Sequence, residues 1–454
     1  MQIYNTLSRS KETFVPMLPG KAGIYCCGPT VYNYAHIGNL RTYVFEDILR
    51  RTLIFNGFEV KHVMNITDVG HLESDEDEGE DKMEKGAQRE GLDPWQLARK
   101  YENAWLHDMA RLQIQRPEVI CRATDHIAGM VALIERIIAA GCGYVTPGAI
   151  YFDTSKFAAY ADFARLDLKG LEAGRGGRVK EGDTGKRNPN DFVLWFTNKP
   201  KHIMQWDSPW GSGYPGWHIE CSAMSMEYLG ETFDIHCGGV DHIPVHHTNE
   251  IAQSECVTHK TFVKYWMHAE FLLLEADKMS KSSGNFLTIQ SLVDEGFDPL
   301  SYRYLILQAH YRSELKFSWD TLEAAQNGLR RVYSMRPDKE TLTDEAEYSE
   351  ARSKALEAIN DDLGTAQLLS ILHTYGSYRL WKEFDAVLGL DFVNRTTPTT
   401  EELPADVTEL ISKRDVAKST KDWATSDAIR KQLTDIGYVV GDTPAGTTVT
   451  RKSV

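Results

Sequence analysis

Leu40, Tyr43, Val44, Ile48, Leu49 and Leu53 recur at helical spacing between two strand-like segments, Gly23–Cys27 and Glu59–Ile66. Gly57 ends the helix expected over Leu40–Asn56. Strand, helix and strand in this order predict a parallel pair joined by a right-handed crossover. Such sheets carry helices on both faces, so the expected class is α/β. Their ligands bind at the carboxyl ends of the strands. Here the first strand runs into His36-Ile37-Gly38-Asn39, at the start of the helix.

A helix start behind a strand suits a phosphate, because its free N–H groups and dipole favour negative charge. His36 can donate to a phosphate oxygen, Gly38 permits close approach, and Asn39 adds an uncharged donor. Far downstream, Lys278-Met279-Ser280-Lys281-Ser282 follows an apolar run. Two ammonium groups on a loop can meet the charge that builds at a reacting phosphate. Gly238-Gly239-Val240-Asp241 ends another strand-like segment, where Gly239 leaves room for a nucleoside and Asp241 suits ribose hydroxyls. Together these strings point to chemistry at the α-phosphate of ATP.

Between them lie Cys27, Cys221, His246 and Glu250. His246 and Glu250 are spaced to share one helix face. Two cysteines, a histidine and a glutamate form a workable tetrahedral zinc set. Cys26 and Cys27 are adjacent, so on a strand only one can face that site. A thiophilic ion beside ATP would separate a thiol substrate from a hydroxyl one, since hydroxyl is harder and far less acidic. Shape alone discriminates poorly at that scale, by roughly 10–200-fold.

The 454 residues suggest about three domains. A hydrophobic content of 42% supports real cores. The net charge of −15 argues against a nonspecific nucleic-acid coat but leaves room for a local basic surface. Seven cysteines without a regular framework read as reduced thiols in the cytoplasm. No secretory signal or membrane span is expected. Residues 73–81, ESDEDEGED, read as a solvated acidic loop or as a repulsive wall to RNA, and Arg165–Arg187 as a glycine-rich basic loop that is either solvated or grips a nucleic-acid backbone. Thr124–Ala140 is expected to be helical, Phe233–His236 and Phe271–Leu274 to be buried strands, and residues 290–390 to be mostly helical. The polar, proline-containing segment 394–405 reads as a linker. Beyond it, a helix over Trp423–Leu433 and a strand over Tyr438–Val440 are expected.

The strings HIGN, KMSKS-SGN, NITD (Asn65–Asp68), PGWHIECSAM (Pro215–Met224), CGGVDH and HHTNEIAQ resemble the class I cysteinyl-tRNA synthetases. N-terminal NTLSRSKE and C-terminal KDWATSDAIRKQL extend the resemblance along almost the whole chain. It implies a Rossmann-like α/β catalytic domain, in halves 1–115 and 201–275, split by a connective insertion at 116–200. A stem-contact fold with the KMSKS loop (276–330), a helical domain (331–395) and an anticodon-binding domain (404–454) would follow. The implied partners are ATP with Mg²⁺, L-cysteine and tRNA(Cys), in a monomeric cytoplasmic enzyme. By the same resemblance Cys27, Cys221, His246 and Glu250 hold zinc, and Gly28, Thr67 and Trp217 line the cysteine pocket. His36, Gly38, Asn39, Gly239, Asp241, Lys278 and Lys281 would handle ATP, with His36, Asn39 and both lysines catalytic. Trp423, Asp427 and Asp442 would read the anticodon.

The chain also departs from the family pattern. Asn39 replaces the second histidine of the usual HIGH, and Val69-Gly70-His71-Leu72 replaces an acidic, lysine-rich run after NITD. Lys418 stands where arginine is more typical, which removes a planar, bidentate donor. The main alternative is a cysteine-activating ligase with a small-amine acceptor, as in mycothiol biosynthesis, which would lack residues 404–454. A noncatalytic RNA-binding paralogue would tolerate loss of the lysine loop or a metal ligand. A zinc hydrolase would leave KMSKS unexplained.

Overall fold

The structure, a computed structural model, describes residues 1–70, 81–166, 185–197, 202–274, 286–396, 404–443 and 446–451. It divides into two compact units, Met1–Asn394 and Arg395–Val454. In the first, the hairpin β1 (Gln2–Asn5) and β2 (Ser10–Thr13) precedes β3 (Lys21–Cys26), α1 (Ile37–Phe55) and β4 (Glu59–Ile66). Helices α2 (Lys82–Glu90) and α3 (Pro94–Arg111) lead to β5 (Val119–Arg122) and α4 (Ile127–Ala139). Strands β6 (Gly143–Val145), β7 (Ala149–Phe152), β8 (Phe192–Thr197) and β9 (Gly213–Pro215) form a separate antiparallel sheet. The chain continues through α5 (Trp217–Leu229), β10 (Phe233–Gly239), α6 (Thr248–Thr258) and β11 (Val263–Ala269).

Strands β3, β4, β5, β10 and β11 make one parallel sheet in the order β11-β10-β3-β4-β5. The chain first moves outward from β3 to β5, then returns to the other side of β3. The direction therefore switches between β3 and β10, where a parallel sheet opens a crevice at its carboxyl edge. Buried residues of α1 pack on one face with Cys26, Met64 and Cys237. Residues of α4, α5 and α6 pack on the other with Tyr25, Cys27 and Val63. Both faces are thus covered, and β10 is buried almost throughout, as a central parallel strand should be.

Several boundaries differ from the sequence reading. Helix α1 starts at Ile37 because His36 and Asn39 cap it reciprocally. The parallel sheet takes β5 from the stretch expected to begin the insertion at 116, and the antiparallel sheet takes β9 from beyond 200. A 3₁₀ turn over Ala123–His126 precedes α4. Phe271–Leu274 is not a buried strand: only Leu272–Leu274 is extended, and Phe271 and Leu274 are exposed. The buried strand is β11, just before it. Cys142 and Cys256 form a disulfide between the α4–β6 turn and α6, which corrects the expectation of wholly reduced cysteines. The other five are free and buried.

Beyond the sheet come β12 (Leu272–Leu274), α7 (Ile289–Asp294), α8 (Pro299–Leu307), β13 (Leu315–Phe317) and α9 (Trp319–Tyr333). Helices α10 (Glu345–Asn360), α11 (Thr365–Tyr375) and α12 (Tyr378–Leu388) complete the helical region. The second unit holds α13 (Ala405–Ser419), α14 (Trp423–Asp435) and the hairpin β14 (Tyr438–Thr443) with β15 (Gly446–Arg451). Its small core contains Val407, Ile429, Leu433 and Tyr438. Among the described residues no helix is long and apolar enough to cross a membrane.

Candidate active site and metal centre

The carboxyl ends of β3, β4 and β10 open into one cavity of about 500 Å³. It gathers Gly28, His36, Gly38, Asn39, Thr67, Trp217, Gly239 and Asp241, together with Cys27, Cys221 and His246. The glycine after β3 is dictated by packing. The Gly28 N–H donates to Asn65 Oδ1 at 2.9 Å, and a Cβ there would lie 1.7 Å from the Asn65 carbonyl oxygen. Glycine at the end of β10 also serves a neighbour, since a Cβ on Gly239 would lie 2.2 Å from Asp241 Oδ1.

At the start of α1, the Asn39 N–H donates to His36 Nδ1 at 3.1 Å, and the His36 N–H donates to Asn39 Oδ1 at 3.2 Å. His36 Nδ1 is therefore an acceptor, which leaves the proton of the neutral ring on Nε2. Burial pushes the His36 pKa down, against the opposing pull of Asp241, so neutral imidazole is favoured. Asn39 spends its oxygen on the cap and keeps its amide N–H groups for a ligand. Gly38 makes room for the histidine as well as for any nucleotide: a Cβ there would lie 2.9 Å from the His36 ring. Ile37 N–H already donates to Leu287 O at 2.8 Å. Two helix-start donors are thus engaged internally, so the side chains of His36 and Asn39 carry more of the polar surface than the expected row of free N–H groups.

Cys27, Cys221, His246 and Glu250 converge with their ligand atoms all within 4.8 Å of one another. Cys27 faces this cluster while Cys26 packs in the opposite core, as strand alternation requires. His246 lies in a π-helical turn, Ile243–His247, and Glu250 sits in the first turn of α6. All four residues are buried. Glu250 Oε2 lies 3.0 Å from His236 Nε2, whereas Oε1 accepts no hydrogen bond although His246 Nε2 is 3.1 Å away. A buried carboxylate oxygen without a donor is costly, and a cation between these groups would satisfy it. Burial pushes both the Cys27 and Cys221 thiols up, so thiolates there need a positive partner. The residues present fit a thiophilic divalent ion.

Residues 13–327 match the family described as "tRNA synthetases class I (C) catalytic domain", and residues 400–449 match "Cysteinyl-tRNA ligase anticodon binding domain". The chain is 49% identical over 460 residues to "Cysteine--tRNA ligase 1" of Burkholderia lata, covering 98% of this chain and 96% of that one. It is 44% identical over 489 residues to "Cysteine--tRNA ligase" of Treponema denticola, covering 99% of each. The chain belongs to the class I cysteinyl-tRNA synthetase family. Its fold also matches a Mycobacterium tuberculosis methionyl-tRNA synthetase bound by methionyl-adenylate, with a TM-score of 0.57 at 16% identity over 85% of this chain and 86% of that one.

The remaining positions that the synthetase family implies fall elsewhere. Lys278 and Lys281 lie outside the described residues. The segments on either side of them meet the start of α1: Arg41 donates to the carbonyls of Phe271 and Ser313, and the Phe286 ring lies 5.5 Å from that of His36. Residues 73–80 of the acidic loop and residues 167–184 of the basic loop are likewise outside. Trp423 and Asp427 are exposed on α14, four residues apart and so on one face, and Asp442 lies on β14. All three belong to the second unit.

Sequence reasoning missed the histidines behind the metal cluster. His247 Nε2 lies 3.4 Å from Cys27 Sγ, and its Nδ1 lies 2.8 Å from His268 Nε2. His218 Nδ1 lies 3.0 Å from His246 Nδ1. Cys27, His236, His247 and Glu250 even form an overlapping four-residue cluster. His236 already approaches Glu250 Oε2, which leaves Oε1 and the two-thiol set as the better soft-metal site. The density of histidine between residues 218 and 268 was the available signal.

Proposed function

We propose that this chain activates L-cysteine with ATP and transfers it to the 3′-terminal adenosine of tRNA(Cys). The convergence of Cys27, Cys221, His246 and Glu250 at the ATP-side cleft carries this reading. The cysteine carboxylate attacks the α-phosphorus of ATP, forming cysteinyl-adenylate and releasing pyrophosphate. The terminal adenosine's 2′-hydroxyl then attacks the acyl carbon and AMP departs.

His36 Nε2–H and the Asn39 amide donate to phosphate oxygens, and Lys278 and Lys281 neutralise charge as the α-phosphate reacts. Asp241 accepts from the ribose hydroxyls, and Gly38 and Gly239 keep the floor of this site low. Gly28, Thr67 and Trp217 frame the amino acid. The Trp217 ring, 4.3 Å from that of His246, closes the pocket over the thiol end. A zinc ion held by Cys27, Cys221, His246 and Glu250 would supply soft Lewis acidity that favours thiolate over hydroxyl. Magnesium would accompany ATP. Trp423, Asp427 and Asp442 would contact the anticodon, and the enzyme is expected to work as a cytoplasmic monomer. A small-amine acceptor is disfavoured by the match of residues 400–449 to an anticodon-binding domain.

The test is attachment of labelled cysteine to a tRNA(Cys) transcript with ATP, with serine as the control amino acid. Charging with cysteine alone is expected. Cysteine-dependent ATP–pyrophosphate exchange without any charging would favour the small-amine ligase.

A further inference from the structure

We propose that Glu220 and Asn65 act as positioning residues that fix the polarity of the Thr67 hydroxyl, making this pocket selective for the α-ammonium group of its substrate. The proposal rests on the reading of the cleft as a cysteine-activating site and assigns roles to two residues that reading does not use.

The Thr67 backbone is held first: its N–H donates to Pro29 O at 3.0 Å, and its carbonyl accepts from the Val31 N–H at 3.1 Å. Its hydroxyl then sits in a directed chain. The Gly28 N–H donates to Asn65 Oδ1 at 2.9 Å, which commits the Asn65 oxygen and turns the Asn65 amide nitrogen toward Thr67. Asn65 Nδ2 donates to Thr67 Oγ1 at 3.3 Å, and Thr67 Oγ1 donates to Glu220 Oε2 at 2.9 Å. A threonine hydroxyl has one proton and two lone pairs. Its proton goes to Glu220 and one lone pair to Asn65, so only a lone pair is left for the cavity. An ammonium group is donor-only, and a carboxylate is acceptor-only. The Thr67 oxygen therefore accepts from the substrate's amino end and repels its carboxylate end.

Burial gives the chain its stiffness. Asn65, Thr67 and Glu220 are 2%, 1% and 0% exposed. Thr67 and Asn65 line the cavity, whereas Glu220 stands behind it on α5, beside Cys221. Glu220 Oε1 has no hydrogen-bond partner. Glu220 thus has no other donor holding it, and its contact with the pocket runs through Thr67. Without Glu220 the Thr67 proton is free to rotate into the cavity, where it would oppose an ammonium.

The test compares two thiols on the zinc-loaded enzyme. L-Cysteine carries the α-ammonium; 3-mercaptopropionate keeps the thiol and carboxylate but lacks it. The gap is the ratio of the inhibition constant of 3-mercaptopropionate to the KM for cysteine in ATP–pyrophosphate exchange. Glu220→Met should raise the KM for cysteine roughly tenfold, the loss expected for a hydrogen bond to a charged group. The inhibition constant of 3-mercaptopropionate, the KM for ATP and the zinc content should not move. Thr67→Val should narrow the gap similarly, the double variant should add nothing more, and Glu220→Gln, whose carbonyl can still accept, should preserve it. Equal weakening of both thiols, or no weakening of either, would overturn the proposal. Should Glu220→Met fail to fold or to hold zinc, Thr67→Val must still narrow the gap while Glu220→Gln keeps it; any other pattern overturns the proposal. If the unaltered enzyme shows no cysteine-dependent exchange, the functional reading itself fails. Normal exchange with an unaltered gap removes only this inference.

Discussion

Glu250 is fully buried, with one oxygen facing His236 and the other facing His246 without accepting a hydrogen bond. Its surroundings make sense once a cation occupies the space it shares with Cys27, Cys221 and His246. Cys221→Ser should release the metal and lower cysteine activation by orders of magnitude, because a hydroxyl is a harder and far less acidic ligand. Metal analysis and pyrophosphate exchange check this, and retained metal with full activity would remove Cys221 from the ligand set. His62 offers a prediction about stability alone. It is buried on β4, neither ring nitrogen has a hydrogen-bond partner, and burial with the nearby Arg50 charge lowers its pKa to about 3. The unfolded chain then binds more protons than the folded one between the ordinary histidine value and about 3. Stability is present above about pH 6.5 and falls as pH drops through that window, by about 1.4 kcal/mol per unit. Denaturant unfolding at pH 7 and pH 5 should show a smaller difference for His62→Leu than for the unaltered chain; equal differences would contradict it. At this scale the convergence of Cys27, Cys221, His246 and Glu250 into one candidate metal cluster was legible because residue type and family strings marked them. His236, His247 and His268 were not, because only tertiary contact tells a histidine behind a metal ligand from any other buried one.

Helix α1 joins the cleft to the helical region through a buried ionic node. Asp47 Oδ2 accepts from Arg303 Nη2 at 2.6 Å and from Arg51 Nε at 2.7 Å, while Oδ1 accepts from the Gln115 N–H at 2.9 Å. Arg303, fully buried on α8, also donates to the carbonyls of Leu388 and Leu112. Removing Arg303 leaves Asp47 with Arg51 alone, and removing Asp47 leaves the buried Arg303 guanidinium without its paired carboxylate. Arg303→Met should therefore cost about 3–5 kcal/mol, and adding Asp47→Leu should cost less than the sum of the single changes. Denaturant midpoints of the four proteins decide this, and simple additivity would contradict the coupling. The periodicity of α1 was readable from its apolar residues, but its start was not. Residues 36–39 form a reciprocal cap in which a histidine replaces the usual serine or threonine. Phe271–Leu274 misled for the opposite reason: it is apolar, yet Phe271 and Leu274 are exposed and the segment only pairs β12 with β13.

A chain with a net charge of −15 that binds RNA must do so through local surfaces rather than through its overall field. Trp423, Asp427 and Asp442, proposed above to contact the anticodon, belong to a unit with its own core. Deleting residues 404–454 should leave cysteine-dependent exchange within a few-fold of normal while reducing tRNA charging strongly. Equal loss of both activities would make the second unit a structural support instead. The first crossover of the sheet was legible from periodicity, but the return of β10 and β11 to the far side of β3 was not. Strand order depends on contacts between residues far apart in the chain, and the cleft exists only because of that order.

The most direct measurement is metal content together with amino-acid selectivity in ATP–pyrophosphate exchange, before and after chelation. One zinc per chain is predicted, with exchange that depends on cysteine and ignores serine, disappears on chelation and returns with added zinc. A metal-free protein that still activates cysteine and rejects serine would contradict the account.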